Sequence, residues 1–512
     1  MPRKAISLIC KLDLQSGGGA GTCVQCGVQS PSNMKIAMKS LLQTRAGRIV
    51  AALVSGVLFY FVFGLNPYWL AAWLAPIPLL LAAFHAGGRE ARALAWLAVA
   101  IGLSSEFAYY WKTTGPVATV IIVILYMLLW GFIVGRTRAA VLSSSHWLTL
   151  FVYPVILAAV DTLVAFFSPH GTAGSMAFGQ MGFLPVVQTA SVLGAPAIVF
   201  LASLFASTVA VALYRGREIS RPWLGYGLAA AILLSALGWG AFRVHAGVAG
   251  PTVKVGLVAV DDFVGPGVPA GHGEAVWGAY DQEVKKLAAE GARIVVLPEK
   301  VFYLAPDEAT ERRMQFAALA REAGVFLVVG LQLNQPDRKR NVSWLFTPSG
   351  DLLAEYDKQH MVPHLEGDLA PGHENIVRRI DGAPYGLVIC RDMFFTSLGR
   401  AYSRLGVAAL LVPAWDFYVD AWWASRVAAL RGVEGGYSVV RASRESFLAV
   451  SDRYGHILAE RRSAFLPGAS ILASLPLGPA TPTPYARFGD VFGWLCVAGL
   501  VLAVVLPRLT RG

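Results

Sequence analysis

Apolar runs long enough to cross a bilayer crowd the first half of this chain. They lie near residues 48–65, 67–86, 92–111, 116–135, 147–167, 184–214 and 222–243, and an eighth lies at 488–507. Roughly 20 mostly apolar residues suffice for a helix to cross the hydrocarbon core, where only helices and closed barrels satisfy their own backbone. Seven leading spans and one trailing span are therefore expected. The first two are separated by little more than Asn66-Pro67 and read as a tight helical hairpin. The sixth run is too long for one straight span, and Gly194 and Pro196 are expected to break or tilt it. Composition agrees, since 55% of residues are hydrophobic and only 15% charged, too little polar surface to cover a water-soluble chain of 512 residues.

Lysine and arginine in the loops set the expected orientation. Arg45 and Arg48 precede the first run, Arg89 and Arg92 follow the second, and Arg136 and Arg138 follow the fourth. Arg215, Arg217 and Arg221 follow the sixth, and Arg508 and Arg511 follow the last. The alternate short loops carry only Lys112, and 168–183 holds neither basic residue. The N-terminus is thus expected on the cytoplasmic side, and an odd number of spans puts residues 244–487 outside it. The net charge of +11 is accounted for by these membrane flanks, so no nucleic-acid partner is expected. Glu106 and Asp161 lie inside runs, where a carboxyl group is costly; each is either a polar contact in the bundle or part of a substrate path. Cys23 and Cys26 form a C-x-x-C with no second pair, and no P-loop, dinucleotide fingerprint or His-rich cluster occurs. No metal or cofactor is expected. Residues 1–45 read as a disordered tail, or as an early start ahead of Met34 or Met38.

Between the seventh and eighth runs the character changes. Segments at 252–260, 293–297, 325–331, 342–346, 386–390, 408–412 and 447–451 are rich in β-branched residues, and helical patterns fill 273–290, 307–323 and 420–434. The division expected is a tail (1–45), a seven-helix membrane domain (46–245), an α/β domain (250–480) and a C-terminal membrane helix (487–508).

Three polar residues close strands of that α/β domain, where such folds open into a crevice. Glu299 ends IVVLPEK, Lys358 lies in EYDKQHMVPHLE, and Cys390 ends GLVIC ahead of a short helix expected from about 394. Singly each has a bland reading: a buried thiol, a solvated turn, a surface lysine. Together they fit a nucleophile site, with a carboxylate to take the thiol proton and an ammonium to favour the thiolate and hold an oxyanion. Aromatic residues beside these strand ends, among them Tyr303, Phe394 and Trp415, are candidates to line an apolar substrate mouth, or else plain core.

The order Glu299, Lys358, Cys390 resembles the triad of the carbon–nitrogen hydrolase (nitrilase) superfamily, and Glu366, eight residues after the lysine, matches that superfamily's second glutamate. A nitrilase-like domain between seven leading spans and one trailing span resembles the apolipoprotein N-acyltransferase family. Further echoes are GQMGFLPVVQTASVLGAPA at 179–197 and the Arg431, Glu434, Arg441 spacing. The sequence departs from that family at Pro363-His364-Leu365-Glu366, at Arg391-Asp392 and at Val412-Pro413-Ala414-Trp415-Asp416. The resemblance implies a multi-span helical domain with an αββα sandwich outside a bacterial inner membrane. It implies a monomer that forms a Cys390 thioester from a phospholipid acyl donor and passes the chain to the N-terminal amine of a diacylated lipoprotein. A membrane-anchored amidase, with water resolving the thioester, is the alternative; a scaffold that only binds is a third reading.

Overall fold

The computed structural model describes residues 38–260, 273–463, 468–479 and 481–509. Cys10, Cys23 and Cys26 lie outside these residues, as does most of the proposed tail.

Among the described residues, five helices have the length and apolar character to cross a membrane: Arg45–Phe63, Pro116–Ser143, Thr149–Phe167, Ala195–Tyr214 and Pro222–Ala246. The second and third runs depart from the single spans expected of them. The second forms an apolar helix over Trp69–His85, 17 residues long, in which Pro76 interrupts the backbone bonding. The third is a pair, Gly88–Leu103 and Phe107–Thr113, bent by 68°. Ser104 and Ser105 turn their hydroxyls back onto the carbonyls of Ile101 and Gly102, at 2.6 and 2.8 Å, and Glu106 occupies the break. The sixth run breaks as its residues foretell. Gly194 adopts φ 79°, and the straight helix begins behind it with Pro196 in its first turn. The last helix is Val491–Leu509.

The arginine-bearing helix ends meet one another. Arg48 pairs with Glu90 at 2.9 Å, Arg138 donates to the carbonyl of Ala86 at 2.8 Å, Arg215 to that of Val141 at 3.0 Å, and Arg136 to that of Ala503 at 2.5 Å. The other helix ends meet the α/β domain: Thr172 Oγ1 donates to the carbonyl of Phe394 at 2.8 Å, Gln188 Nε2 to that of Tyr454 at 2.8 Å, and Arg391 to that of Pro169.

The α/β domain is built from thirteen strands among the described residues. In chain order they are β1 (Thr252–Ala259), β2 (Ile294–Val296), β3 (Phe302–Leu304), β4 (Phe326–Asn334), β5 (Lys339–Phe346), β6 (Leu352–Asp357), β7 (Val377–Ile380), β8 (Ala383–Leu387), β9 (Ala409–Trp415), β10 (Ser438–Arg444), β11 (Phe447–Ser451), β12 (Ile457–Arg462) and β13 (Ala469–Pro476). One sheet has the order β13-β1-β2-β4-β5-β6 with β3 beside β4, and the other runs β12-β11-β10-β9-β8-β7. Both have a parallel centre, β1-β2-β4 and β8-β9-β10. These strands are covered on both faces, which is why they read as unbroken apolar runs.

Alternation along each strand sorts side chains into layers. Val255, Leu257, Ile294, Val296 and Val328 of the first sheet pack against Leu387, Leu411, Val440 and Val450 of the second. The opposite face of the first sheet, with Val258, Val295 and Leu327, is covered by helices Gly273–Ala289 and Pro306–Ala323 through Tyr280, Val284 and Phe316. Helices Thr396–Arg404 and Ala421–Gly435 cover the second sheet through Leu398, Tyr402 and Ala428. Four layers result, helix, sheet, sheet, helix, which is the sandwich expected.

Candidate active site

The parallel centres carry Glu299 and Cys390 to one edge of the sandwich. Glu299 leaves β2 after Pro298, and its N–H donates to the carbonyl of Ala414 at 3.2 Å, joining the ends of the two sheets. This turn lies directly on β4 at Gly330, where a Cβ would stand 2.4 Å from the Pro298 oxygen and 2.6 Å from the Glu299 Cα. Glycine is required there by close approach. The next residue, Lys300, takes φ 54°.

Lys358 follows β6 and is buried. Its ammonium donates to Glu299 Oε1 and to Glu366 Oε2, each at 2.8 Å. Glu366 closes a turn in which its Oε2 also accepts the Val362 N–H at 2.8 Å. Two further residues, which sequence reasoning missed, complete this set. Asn341 on β5 donates from Nδ2 to Glu299 Oε1 at 2.6 Å and to Glu366 Oε1 at 2.9 Å. Lys300 donates to Glu366 Oε1 at 2.6 Å. Asn341 follows Arg338-Lys339-Arg340 at the polar start of its strand, so nothing in the sequence marks it as buried; Lys300 adjoins Glu299, yet a lysine after a turn is ordinarily solvated.

Cys390 opens a single 3-10 turn, Cys390–Phe394, and the helix behind it starts at Thr396 rather than 394. The thiol is 3.4 Å from the Trp415 carbonyl, to which it donates. The backbone here is strained, with φ 45° at Cys390. Asp392, one turn on, holds this strain in place by accepting the Ile389 N–H at 3.1 Å and the Tyr356 hydroxyl at 2.7 Å. Its other oxygen accepts the N–H groups of Gln359 and His360 at 3.2 and 2.9 Å.

Charge follows from this geometry. Burial draws the Lys358 ammonium down, but Glu299 and Glu366 outweigh it, so the lysine is held above its ordinary range and stays charged. Burial also works against the Glu366 carboxylate, yet Lys358 and Lys300 hold it down to about 2. Burial pushes the Cys390 thiol well above its usual value, the Glu299 carboxylate pushes it further, and Lys358 pulls the other way without prevailing. Lys358 thus acts in the expected sense, favouring the thiolate, but burial and the Glu299 carboxylate outweigh it.

The aromatic candidates are divided. Phe394 packs on Trp423, centroids 5.0 Å apart, and Trp423 meets Phe178 of the membrane region at 6.0 Å. Trp415 is half-buried at the end of β9, stacked under Arg444 at 4.3 Å with its Nε1 donating to Glu445 at 3.0 Å. Tyr303 is half-buried on β3. Among the described residues no three His, Cys, Asp or Glu side chains form a metal-holding group.

The carbon-nitrogen hydrolase family profile matches residues 269–456. An apolipoprotein N-acyltransferase of Geobacter metallireducens is 28% identical over 89% of this chain and 94% of its own length. One of Bradyrhizobium diazoefficiens is 26% identical over 69% and 73%. A deaminated glutathione amidase of Yersinia enterocolitica is 28% identical over 26% of this chain and 55% of its own. The amidase aligns with part of the chain, whereas the Geobacter protein aligns across membrane helices and sandwich together, so residues 269–456 form a carbon–nitrogen hydrolase (nitrilase) domain in a chain that is similar over its length to the apolipoprotein N-acyltransferases.

Proposed function

We propose that this protein moves a fatty acyl chain from a phospholipid to the N-terminal amine of a diacylglyceryl-cysteine lipoprotein through a thioester on Cys390. The observation that carries the reading is the ammonium of Lys358, held at 2.8 Å by both Glu299 and Glu366 and near enough to act on the buried thiol.

The Cys390 sulfur attacks the ester carbonyl as Glu299 takes the thiol proton; both bonds to Glu299 fall on Oε1, and Oε2 is the receiving oxygen. Lys358 stabilises the tetrahedral oxyanion. Collapse breaks the ester C–O bond, and the proton on Glu299 passes to the departing lysophospholipid alkoxide. The lipoprotein amine then attacks the thioester and gives its proton to Glu299. The C–S bond breaks, and the thiol is restored as the amide forms. Phe394 and Trp415 line the acyl path with Tyr303 at its margin, and the contacts of Phe394 with Trp423 and of Trp423 with Phe178 give the chain an apolar route from the membrane helices.

The site faces the extracytoplasmic side of a bacterial inner membrane. The support is the gathering of Arg48, Arg136, Arg138 and Arg215 at the helix ends away from the sandwich, since basic loops stay cytoplasmic.

The test is the intact mass of the purified protein after incubation with phospholipid alone. An acyl adduct on Cys390, discharged by a diacylated lipopeptide amine and slowly by water, is expected. No adduct from phospholipid but one from an amide substrate, discharged by water, would instead support the amidase reading, which the Yersinia similarity favours; no adduct from either, or one that survives Cys390→Ala, would overturn both.

A further inference from the structure

We propose that Lys300 is a positioning residue of this site, one that fixes Glu366 and supplies the second positive charge of a buried, balanced set of two lysines and two glutamates. The proposal rests on the acyl-transfer reading of Cys390 and deepens it.

Lys300 is placed for this role at some local expense. Its backbone takes φ 54°, a conformation that side chains bearing a Cβ rarely adopt, and its residue is 7% exposed. A lysine at a turn would ordinarily extend its stem into water. Here the ammonium turns inward to Glu366 Oε1, 2.6 Å away. A buried ammonium is tolerated only when paired, and the pairing divides the work of Glu366. Oε1 receives Lys300 and Asn341, and Oε2 receives Lys358 and the Val362 N–H. All lone-pair directions of that carboxylate are engaged, so it cannot rotate away from Lys358.

This matters most at the moment of reaction. When Glu299 takes the thiol proton it loses its negative charge and with it much of its hold on Lys358. The ammonium must then keep its place through Glu366 alone, and Glu366 is anchored by Lys300. Charge balance gives the second consequence. With Lys300 the four ionised groups sum to zero before a thiolate or oxyanion develops. Without it the rest of the set carries one net negative charge, while Asp416, Arg441 and Arg391, which also act on Cys390, are unchanged; the loss of that positive charge opposes every further negative charge and raises the proton affinity of each acid nearby.

The experiment follows the alkylation rate of Cys390 by iodoacetamide against pH in the full-length, detergent-purified protein, comparing the natural chain with Lys300→Met, Lys300→Gln and Lys300→Arg. The Met and Gln profiles are expected to move to higher pH by about one unit, the lower end of the effect of a neighbouring opposite charge, and the Arg profile to stay with the natural one. Should Lys300→Met not fold, Lys300→Gln keeps a polar stem and reads the same shift. A purely structural role would lower the thermal midpoint or the plateau rate at an unchanged profile position, and that result overturns the proposal. An Arg profile displaced as far as the Met profile also overturns it. A natural thiol whose profile is indifferent to Glu299→Gln overturns the acyl-transfer reading as well, so the two failures are separable.

Discussion

The hydroxyl of Tyr356 donates to Asp392 at 2.7 Å, and this bond ties the strand that delivers Lys358 to the turn that delivers Cys390. The two catalytic candidates come from different sheets, β6 in one and the end of β8 in the other. Asp392 also collects the N–H groups of Ile389, Gln359 and His360, along with His360 Nδ1 at 2.9 Å. It is the clamp that sets the spacing of lysine and sulfur.

Asp392→Asn is the direct test of that clamp. An amide offers one acceptor oxygen where five donors converge, and its NH2 group would oppose donors. Thioester formation is expected to fall about 10- to 100-fold, on the order of 1–3 kcal/mol for a disrupted buried bond, while acyl chains of different length remain equally affected. Single-turnover mass measurements check it.

Replacement of the reacting groups should separate their roles. Cys390→Ala is expected to eliminate the acyl adduct. Glu299→Gln, which keeps the shape and removes the base, should slow adduct formation by about 10²–10⁴-fold. Lys358→Met should be comparably slow. Near-natural turnover of Cys390→Ser or Glu299→Gln would show that the roles are misassigned.

Glu366 makes stability depend on acid. Its folded pKa, about 2, lies below the usual 4.5, so between these values the unfolded chain binds the proton that the folded one refuses. Its contribution is complete above about pH 4.5 and lost as pH falls toward 2. Thermal midpoints of the natural protein and Glu366→Gln are expected to differ at pH 6 and to converge toward pH 2.

Gly330→Ala probes the contact beneath Glu299. The added methyl would lie 2.4 Å from one backbone atom and 2.6 Å from another, so the Glu299 turn must move. Overpacking of this kind costs about 1–3 kcal/mol, and the acyl-adduct rate should fall together with the thermal midpoint.

Much of the architecture is legible in residue pattern alone. The strand predicted over 447–451 coincides with β11, and the helices expected over 273–290, 307–323 and 420–434 are found within a residue or two of their limits. Two of the missed strands carry charges satisfied by partners distant in the chain, whereas β3 and β13, also missed, carry none. β6 carries Glu355 and Asp357, both held by Arg340 across the sheet at 2.5 and 2.6 Å. β10 buries Arg441 against Asp416 at 2.7 Å. A pattern of polarity cannot reveal that a charge is paired. The bend at Glu106 was missed for a related reason, because hydroxyls bonding back to carbonyls leave hydropathy unchanged.

Local chemistry alone marked the membrane runs and the double-covered strands and singled out Glu299, Lys358 and Cys390 as candidates, because periodicity and residue type are properties of short stretches. Only the packed chain decided that Lys300 and Asn341 join them, that Asp392 spans two sheets, and that burial raises the proton affinity of the thiol. Those outcomes depend on burial and on charges brought within a few ångströms from segments far apart along the chain, and no stretch of residues carries that distance in itself.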